Sequence, residues 1–248
     1  MKVLGLMSGT SMDGLDCCYA DISINKDYDL KFNIIDFETI QFKEEIHILI
    51  KQSIGLHDDV FLNNCSNKLG YVFLEIVKSF IKNNEFDLIS MHGQTVRHLS
   101  KIESVQIGNP KNLYEYYKKP VIYNFREKDI LLGGNGAPLV PYLDWLLYKN
   151  TNIDVITLNL GGISNLTLIP KNGDRNLVVG FDAGPGMCLI DEYSNCEEWK
   201  FSQDSLNYVD MVKTFENHFG KSNILVYTFE QLILQNNDFE KKLFQLSP

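Results

Sequence analysis

The chain has 248 residues, 44% hydrophobic and 22% charged, enough apolar material for one large core or two modest ones in a soluble globular protein. Its formal net charge of -9 speaks against nucleic acid and anionic membrane surfaces as partners, because both require a positive footprint. The five cysteines (Cys17, Cys18, Cys65, Cys188, Cys196) are odd in number and lack zinc-ligand spacing, so reduced, mostly buried thiols are expected instead of a disulfide framework or structural metal.

No apolar stretch long enough for a signal peptide or a membrane span follows the single lysine at the start, so a cytoplasmic protein is expected. The first elements are two short apolar runs, Val3 to Met7 and Leu15 to Ile22, expected as strands. The segment Gly5-Leu6-Met7-Ser8-Gly9-Thr10-Ser11-Met12-Asp13-Gly14-Leu15-Asp16 carries the turn between them. It reads either as an ordinary hairpin turn or as a phosphate loop, in which glycine lets backbone N–H groups approach an anion and Ser8, Thr10 and Ser11 add hydroxyls. Asp13 and Asp16 could then hold a magnesium ion or a bridging water.

Phe42, Ile46, Leu49 and Ile50 recur at helical spacing, and Phe61, Cys65, Leu69, Val72, Phe73, Ile76, Val77 and Phe80 mark a longer amphipathic helix. A strand from Asp87 to Met91 is expected next, followed by His92-Gly93-Gln94-Thr95. Val121 to Phe125 reads as another strand, Gly133-Gly134-Asn135-Gly136 as a loop, and Pro138 as the first turn of a helix. The alternation of strands and helices makes the fold class α/β throughout.

A polar break near Lys149 to Thr151 is the expected domain boundary, giving domains 1–150 and 151–248. Beyond it, Leu158-Asn159-Leu160-Gly161-Gly162-Ile163-Ser164-Asn165-Leu166-Thr167-Leu168-Ile169 repeats the strand, glycine turn, strand pattern. Next come an apolar strand, Leu177 to Val179, the turn Gly180-Phe181-Asp182-Ala183-Gly184-Pro185-Gly186 and a helix-like run from Met187. Asp182 at a strand end would meet a ligand in the crevice outside the sheet, or would serve as a turn former or helix cap. A helix carrying Leu206, Val209, Val212, Phe215 and Phe219 and a strand over Asn223 to Phe229 are expected in the tail.

Two such hairpins resemble the paired phosphate-gripping hairpins of the actin, hexokinase and Hsp70 type of fold. The specific motifs go further. The early Gly-Leu-Met-Ser-Gly-Thr-Ser-Met-Asp-Gly-Leu-Asp loop, Ser90-Met91-His92-Gly93-Gln94-Thr95-Val96, Gln106-Ile107-Gly108, Phe125-Arg126, Gly133 to Pro141, Asn159 to Asn165 and Phe181 to Gly186 resemble, in order, the anhydro-N-acetylmuramic acid kinases of bacterial peptidoglycan recycling.

That resemblance implies an actin-like (ribonuclease H-like) two-domain fold with a shortened second domain. It implies a transferase using ATP and Mg²⁺, in which water opens the 1,6-anhydro ring of a small amino sugar while O6 takes the γ-phosphate. Asp182 would be the base and Arg126 the second catalytic group, although outside the family context Arg126 reads as a surface salt bridge. Gly9, Thr10, Ser11, Met12, Asp13, Gly14, Leu15, Asp16, Gly161 and Gly162 would bind ATP. His92, Gln94, Thr95, Gly134, Ala137 and Pro138 would contact the sugar, His92 being equally readable as a satisfied structural histidine. The residues holding the metal are not specified, and a homodimer is carried over from the family. Departures are Asn124 for aspartate, Asn135 for glutamine, Met187 for asparagine, and, after Tyr193, the absence of the family's Pro-Pro-Lys-Ser stretch and later glycine-rich segment. These departures leave an alternative, a non-catalytic remnant that binds an anhydro sugar or cell-wall fragment.

Overall fold

The structure is a computed structural model describing residues 1–9 and 11–186. Thr10, Met187, Cys188, Cys196, the expected helix from Met187 and the elements expected over residues 206–219 and 223–229 lie outside the described residues. The chain divides into two compact units, Met1–Ala137 and Pro138–Pro248.

The first unit is built on strands β1 (Lys2–Ser8), β2 (Gly14–Ile24), β3 (Leu30–Gln41), β4 (Leu88–Leu99), β5 (Glu103–Ile107) and β6 (Val121–Ile122), with helices α1 (Glu44–Ser53), α2 (Asp59–Ile81), α3 (Lys111–Tyr117) and α4 (Glu127–Leu131). The sheet order is β3-β2-β1-β4-β5, with β6 also on β4. β1 and β2 form the expected antiparallel hairpin, and β1 runs parallel to β4, the return passing through α1 and α2.

In β1 the period-two alternation turns Leu4, Leu6 and Ser8 inward. α2 opens with Asp58, whose carboxylate accepts from the Phe61 amide at 3.0 Å, a cap worth roughly 1 kcal/mol. Its inward stripe of Leu62, Cys65, Leu69, Phe73, Val77 and Phe80 meets Leu4, Leu6, Leu15, Cys17 and Tyr19 from the sheet in one core. Burial pushes the Cys17 thiol up to about 12 and raises that of Cys18, while Cys65 is buried; all three are free thiols.

Several elements differ from expectation. β4 does not stop at Met91 but continues to Leu99, so His92, Gln94 and Thr95 lie within a strand. β6 is two residues long instead of five, because Asn124 takes a left-handed φ of 58° and turns the chain toward α4. β3 and β5, unassigned in the sequence reading, complete the sheet.

The second unit holds α5 (Val140–Tyr148) and an antiparallel sheet of β7 (Val155–Leu160), β8 (Ile163–Ile169) and β9 (Val179–Pro185) in that order. α5 starts at Val140 with Pro141 in its first turn, not with Pro138. The compact units therefore part at Ala137/Pro138, not at 150/151. α5 belongs with the second sheet because its Asp144 accepts from Thr157 and Thr167 at 2.6 and 2.7 Å, and its Trp145 Nε1 donates to the Gly173 carbonyl at 2.8 Å.

Candidate functional site

Both units carry candidate site residues. In the first, the β1–β2 turn closes with the Met12 amide donating to the Gly9 carbonyl at 3.1 Å, Met12 taking a left-handed φ of 58°. Ser11 Oγ donates to Asp13 Oδ1 at 2.6 Å at the exposed tip. Asp16 accepts from Thr39 Oγ1 at 2.6 Å, and burial raises its carboxyl above the ordinary range, opposed by that bond and helped by Asp13.

Two residues expected to bind ATP have packing roles in the sheet. Leu15 is fully buried in the core. Gly14 lies under β3, where a Cβ would stand 2.6 Å from the Ile40 carbonyl oxygen, so the glycine is demanded by strand packing. Gly9, Ser11, Met12, Asp13 and Asp16 remain at or beside the turn.

Behind this turn β4 carries one extra residue relative to β1: Leu6 pairs with Met91 and Ser8 with Gln94. The bulge is made by Gly93, at φ 76°. Gln94 is 1% exposed, accepting from Ser8 Oγ at 2.6 Å and donating to the Thr95 carbonyl at 3.2 Å. It is sealed inside the sheet and serves the first hairpin by fixing the end of β1. Thr95 Oγ1 accepts from Gln106 at 3.3 Å.

His92 and Arg126 come together. Arg126 Nε donates to His92 Nε2 at 3.1 Å, and Arg126 Nη1 to the Gly136 carbonyl at 2.7 Å. The Gly136 amide in turn donates to Asp129 Oδ2 at 2.7 Å, and the Gly134 amide to the Asp129 carbonyl at 2.8 Å. Asn135 accepts from Ser100 at 3.2 Å, and Asn124 donates to Glu127 at 2.5 Å. Arg126 thus ties β4 to the glycine loop. Ala137, partly buried, ends this unit, and Pro138 begins the next.

In the second unit Gly161 and Gly162 form the turn between β7 and β8, and the Gly186 amide donates to the Gly162 carbonyl at 2.9 Å. Ser164 Oγ donates to the Gly184 carbonyl at 3.0 Å. Asp182 is not at a strand end: it is exposed in the middle of β9, directly opposite Asn165, which is itself opposite Asn159. The neighbouring row, Gly180, Thr167 and Thr157, is covered by Pro141 and Asp144 of α5. Residues two apart share a sheet face, so Asp182, Asn165 and Asn159 line the same face one row further on. Ala183 is an extra residue in β9 beside Asp182.

Sequence reading missed Asp129, Asp144 and Thr39, and gave Gln106 no role beyond its place in the motif Gln106-Ile107-Gly108. Asp144 left a signal, as the only acid in the apolar run Val140 to Tyr148. Asp129 left a weaker one, an aspartate shortly before a glycine loop, where its carboxylate can accept turn amides. Thr39 sits on β3 beyond Ile35, where the strand's apolar alternation has already broken.

The family model described as anhydro-N-acetylmuramic acid kinase matches residues 1–207. Proteins of that name from Bacillus cereus (strain Q1) and Clostridioides difficile (strain 630) are 38% and 39% identical over 205 and 204 residues, in each case 77% of this chain and 53% of the relative. One from Caldanaerobacter subterraneus subsp. tengcongensis is 36% identical over 206 residues, 77% of this chain and 52% of its own length. The chain spans about half the length of the curated relatives it matches.

Proposed function

The chain belongs to the anhydro-N-acetylmuramic acid kinase family, with that family's α/β actin-like fold, and on this premise we propose that it is an ATP-dependent kinase of peptidoglycan recycling. Its substrate is 1,6-anhydro-N-acetylmuramic acid and its product N-acetylmuramic acid 6-phosphate. The observation that carries the reading is a strand–glycine–strand hairpin in each unit, each locked by its own hydrogen bonds at the family's motif positions.

In the proposed reaction Asp182 takes a proton from water as the water oxygen bonds to the anomeric carbon. The bond from that carbon to O6 breaks, O6 bonds to the γ-phosphorus, and the bond from phosphorus to the bridging oxygen breaks, releasing ADP. The exposure of Asp182 on β9 supports this role, since water has access to its carboxylate. Arg126 supplies a planar donor fork suited to a carboxylate or phosphoryl group. Gly9, Ser11, Gly161 and Gly162 are the backbone and hydroxyl donors for the phosphates.

The donor set also fits Mg²⁺ arriving with the nucleotide. Among the described residues no group of three or more His, Cys, Asp or Glu could hold an ion. Magnesium commonly needs only one or two carboxylates alongside phosphate and water. Asp13 and Asp16 provide these, and the raised pKa of Asp16 marks a half-buried carboxylate that a cation would relieve. The ion's contribution is to neutralise charge on the transferring phosphoryl group.

The test is a coupled assay with mass detection on the purified chain, Mg-ATP and the anhydro sugar. Formation of the 6-phosphate with ADP is the expected outcome. Calorimetric sugar binding without product replaces the reading with a protein that binds the sugar without turnover, and neither binding nor product rejects it.

A further inference from the structure

We propose that His92 is a positioning residue for Arg126 instead of a sugar contact, holding the guanidinium through an uncharged ring whose single proton sits on Nδ1. The geometry allows one protonation pattern. Arginine has no acceptor, so the ring nitrogen 3.1 Å from Arg126 Nε, His92 Nε2, must offer its lone pair. A carbonyl has no donor, so His92 Nδ1, 2.9 Å from the Gly93 oxygen, must carry the proton. Both nitrogens are thereby used by the protein, the residue is 8% exposed, and no polar ring atom is left for a hydroxyl of the sugar.

The bulge explains why the ring stands there. The extra residue in β4 interrupts pairing with β1 between Leu6 and Ser8, and Gly93 alone permits it, since a Cβ would lie 2.9 Å from the Ile107 carbonyl oxygen and φ is 76°. Bulges re-aim side chains, and this one connects β4 through His92, Arg126 and Gly136 to Asp129 under the glycine loop.

Protonating Nε2 would remove the acceptor and set two cations in contact. Burial holds the His92 ring below its ordinary affinity for protons, the Gly93 carbonyl opposes this, and Arg126 adds to it. Among the described residues, the acids of α4 have partners of their own and its Lys128 is exposed. Glu127 accepts from Asn124, Asp129 from Gly136, and Arg97 and Glu103 pair with each other. His98 lies further along β4 beside the glycine loop, and β1 has only Lys2, at its far end.

The consequence for sugar affinity rests on the function proposed above; the protonation pattern does not. Long-range proton–nitrogen NMR of the full chain, with His92 assigned by difference against His92→Gln, is expected to show Nδ1 protonated and Nε2 bare at pH 7. It should remain so below the ordinary histidine midpoint. A proton on Nε2, or a midpoint at or above the ordinary value, overturns the proposal whether or not the chain binds sugar. By calorimetry, His92→Leu is expected to weaken sugar binding by about 10-fold or more, the scale of a lost hydrogen bond to a charged group. His92→Gln, which keeps a neutral acceptor, should restore most of that affinity and abolish its decline in acid. Equal loss in both variants, with folding confirmed by their amide spectra, also overturns it.

Discussion

The two glycine hairpins are alike in sequence and unlike in how they are seated. The β1–β2 hairpin rests on an apolar core in which Leu4, Leu15, Phe73 and Ile89 are 0% exposed, with α2 laid across it. Among the described residues, the β7–β8 hairpin is anchored by polar bonds: Asp144 on α5 receives two threonine hydroxyls, one from each strand. Among the described residues, the buried apolar side chains of the second unit are Trp145 and Ile169. A dry core stabilises through area and is insensitive to pH. A buried carboxylate stabilises through direction and depends on its protonation.

The largest expected effect separates chemistry from seating. Asp182→Asn keeps the backbone ladder of β9 but removes the proposed base, and turnover is expected to fall by about 10²–10⁴-fold while calorimetric sugar binding persists. Unchanged turnover would remove Asp182 from that role and leave the second hairpin as a phosphate clamp alone.

Phe73→Ala tests the apolar seat. The ring is fully buried, stacks on Phe42 with centroids 6.2 Å apart, and fills the space beside Gly108. Its loss should cost about 3–5 kcal/mol in chemical denaturation of the first unit. A value under about 1 kcal/mol would mean that this core is looser than its burial indicates.

Asp144 tests the polar seat. Asp144→Ala strips one buried and one partly buried hydroxyl of their acceptor and should cost about 1–3 kcal/mol, with Asp144→Asn costing less because one oxygen remains. Burial raises the Asp144 carboxyl above its ordinary range and the two threonine bonds oppose the shift. In the window between its unfolded and folded values the folded state binds more protons, so the stability attributable to this group falls as pH rises and is then flat. Denaturation against pH should show that slope in the native chain and not in Asp144→Asn.

The sequence was most legible where one physical signal acted alone. Both hairpins were visible because apolar runs flank small residues, and α2 because its apolar positions recur at helical spacing. β3 was not, because it is a half-exposed edge strand in which the alternation of Leu30, Phe32 and Ile34 with Lys31 and Asn33 breaks at Ile35, where its register with β2 shifts. The turn expected around Asp182 proved to be a strand because Gly180 answers to a different demand: any side chain there would strike Pro141 of α5. In the site, residue types were legible and alliances were not. Nothing in the spacing of Ser8 and Gln94, or of His92 and Arg126, announces that a bulge at Gly93 brings each pair together.

The smallest expected effect lies at the end of α2, in the first unit. Lys82 closes that helix at φ 51° and ψ -113°, a backbone region that a side chain disfavours and glycine does not. It is exposed, so its side chain contributes little packing in return. Lys82→Gly therefore removes local strain but also frees the unfolded chain, and the two oppose each other. Strain of this kind is on the order of 1–3 kcal/mol and the added unfolded-state entropy under about 1 kcal/mol, so a net gain of about 1 kcal/mol is expected, read as a higher denaturation midpoint at constant slope. A loss instead of a gain would show that the helix end is held by the lysine side chain, and that even the apolar seat of the first hairpin leans on a polar contact at its edge.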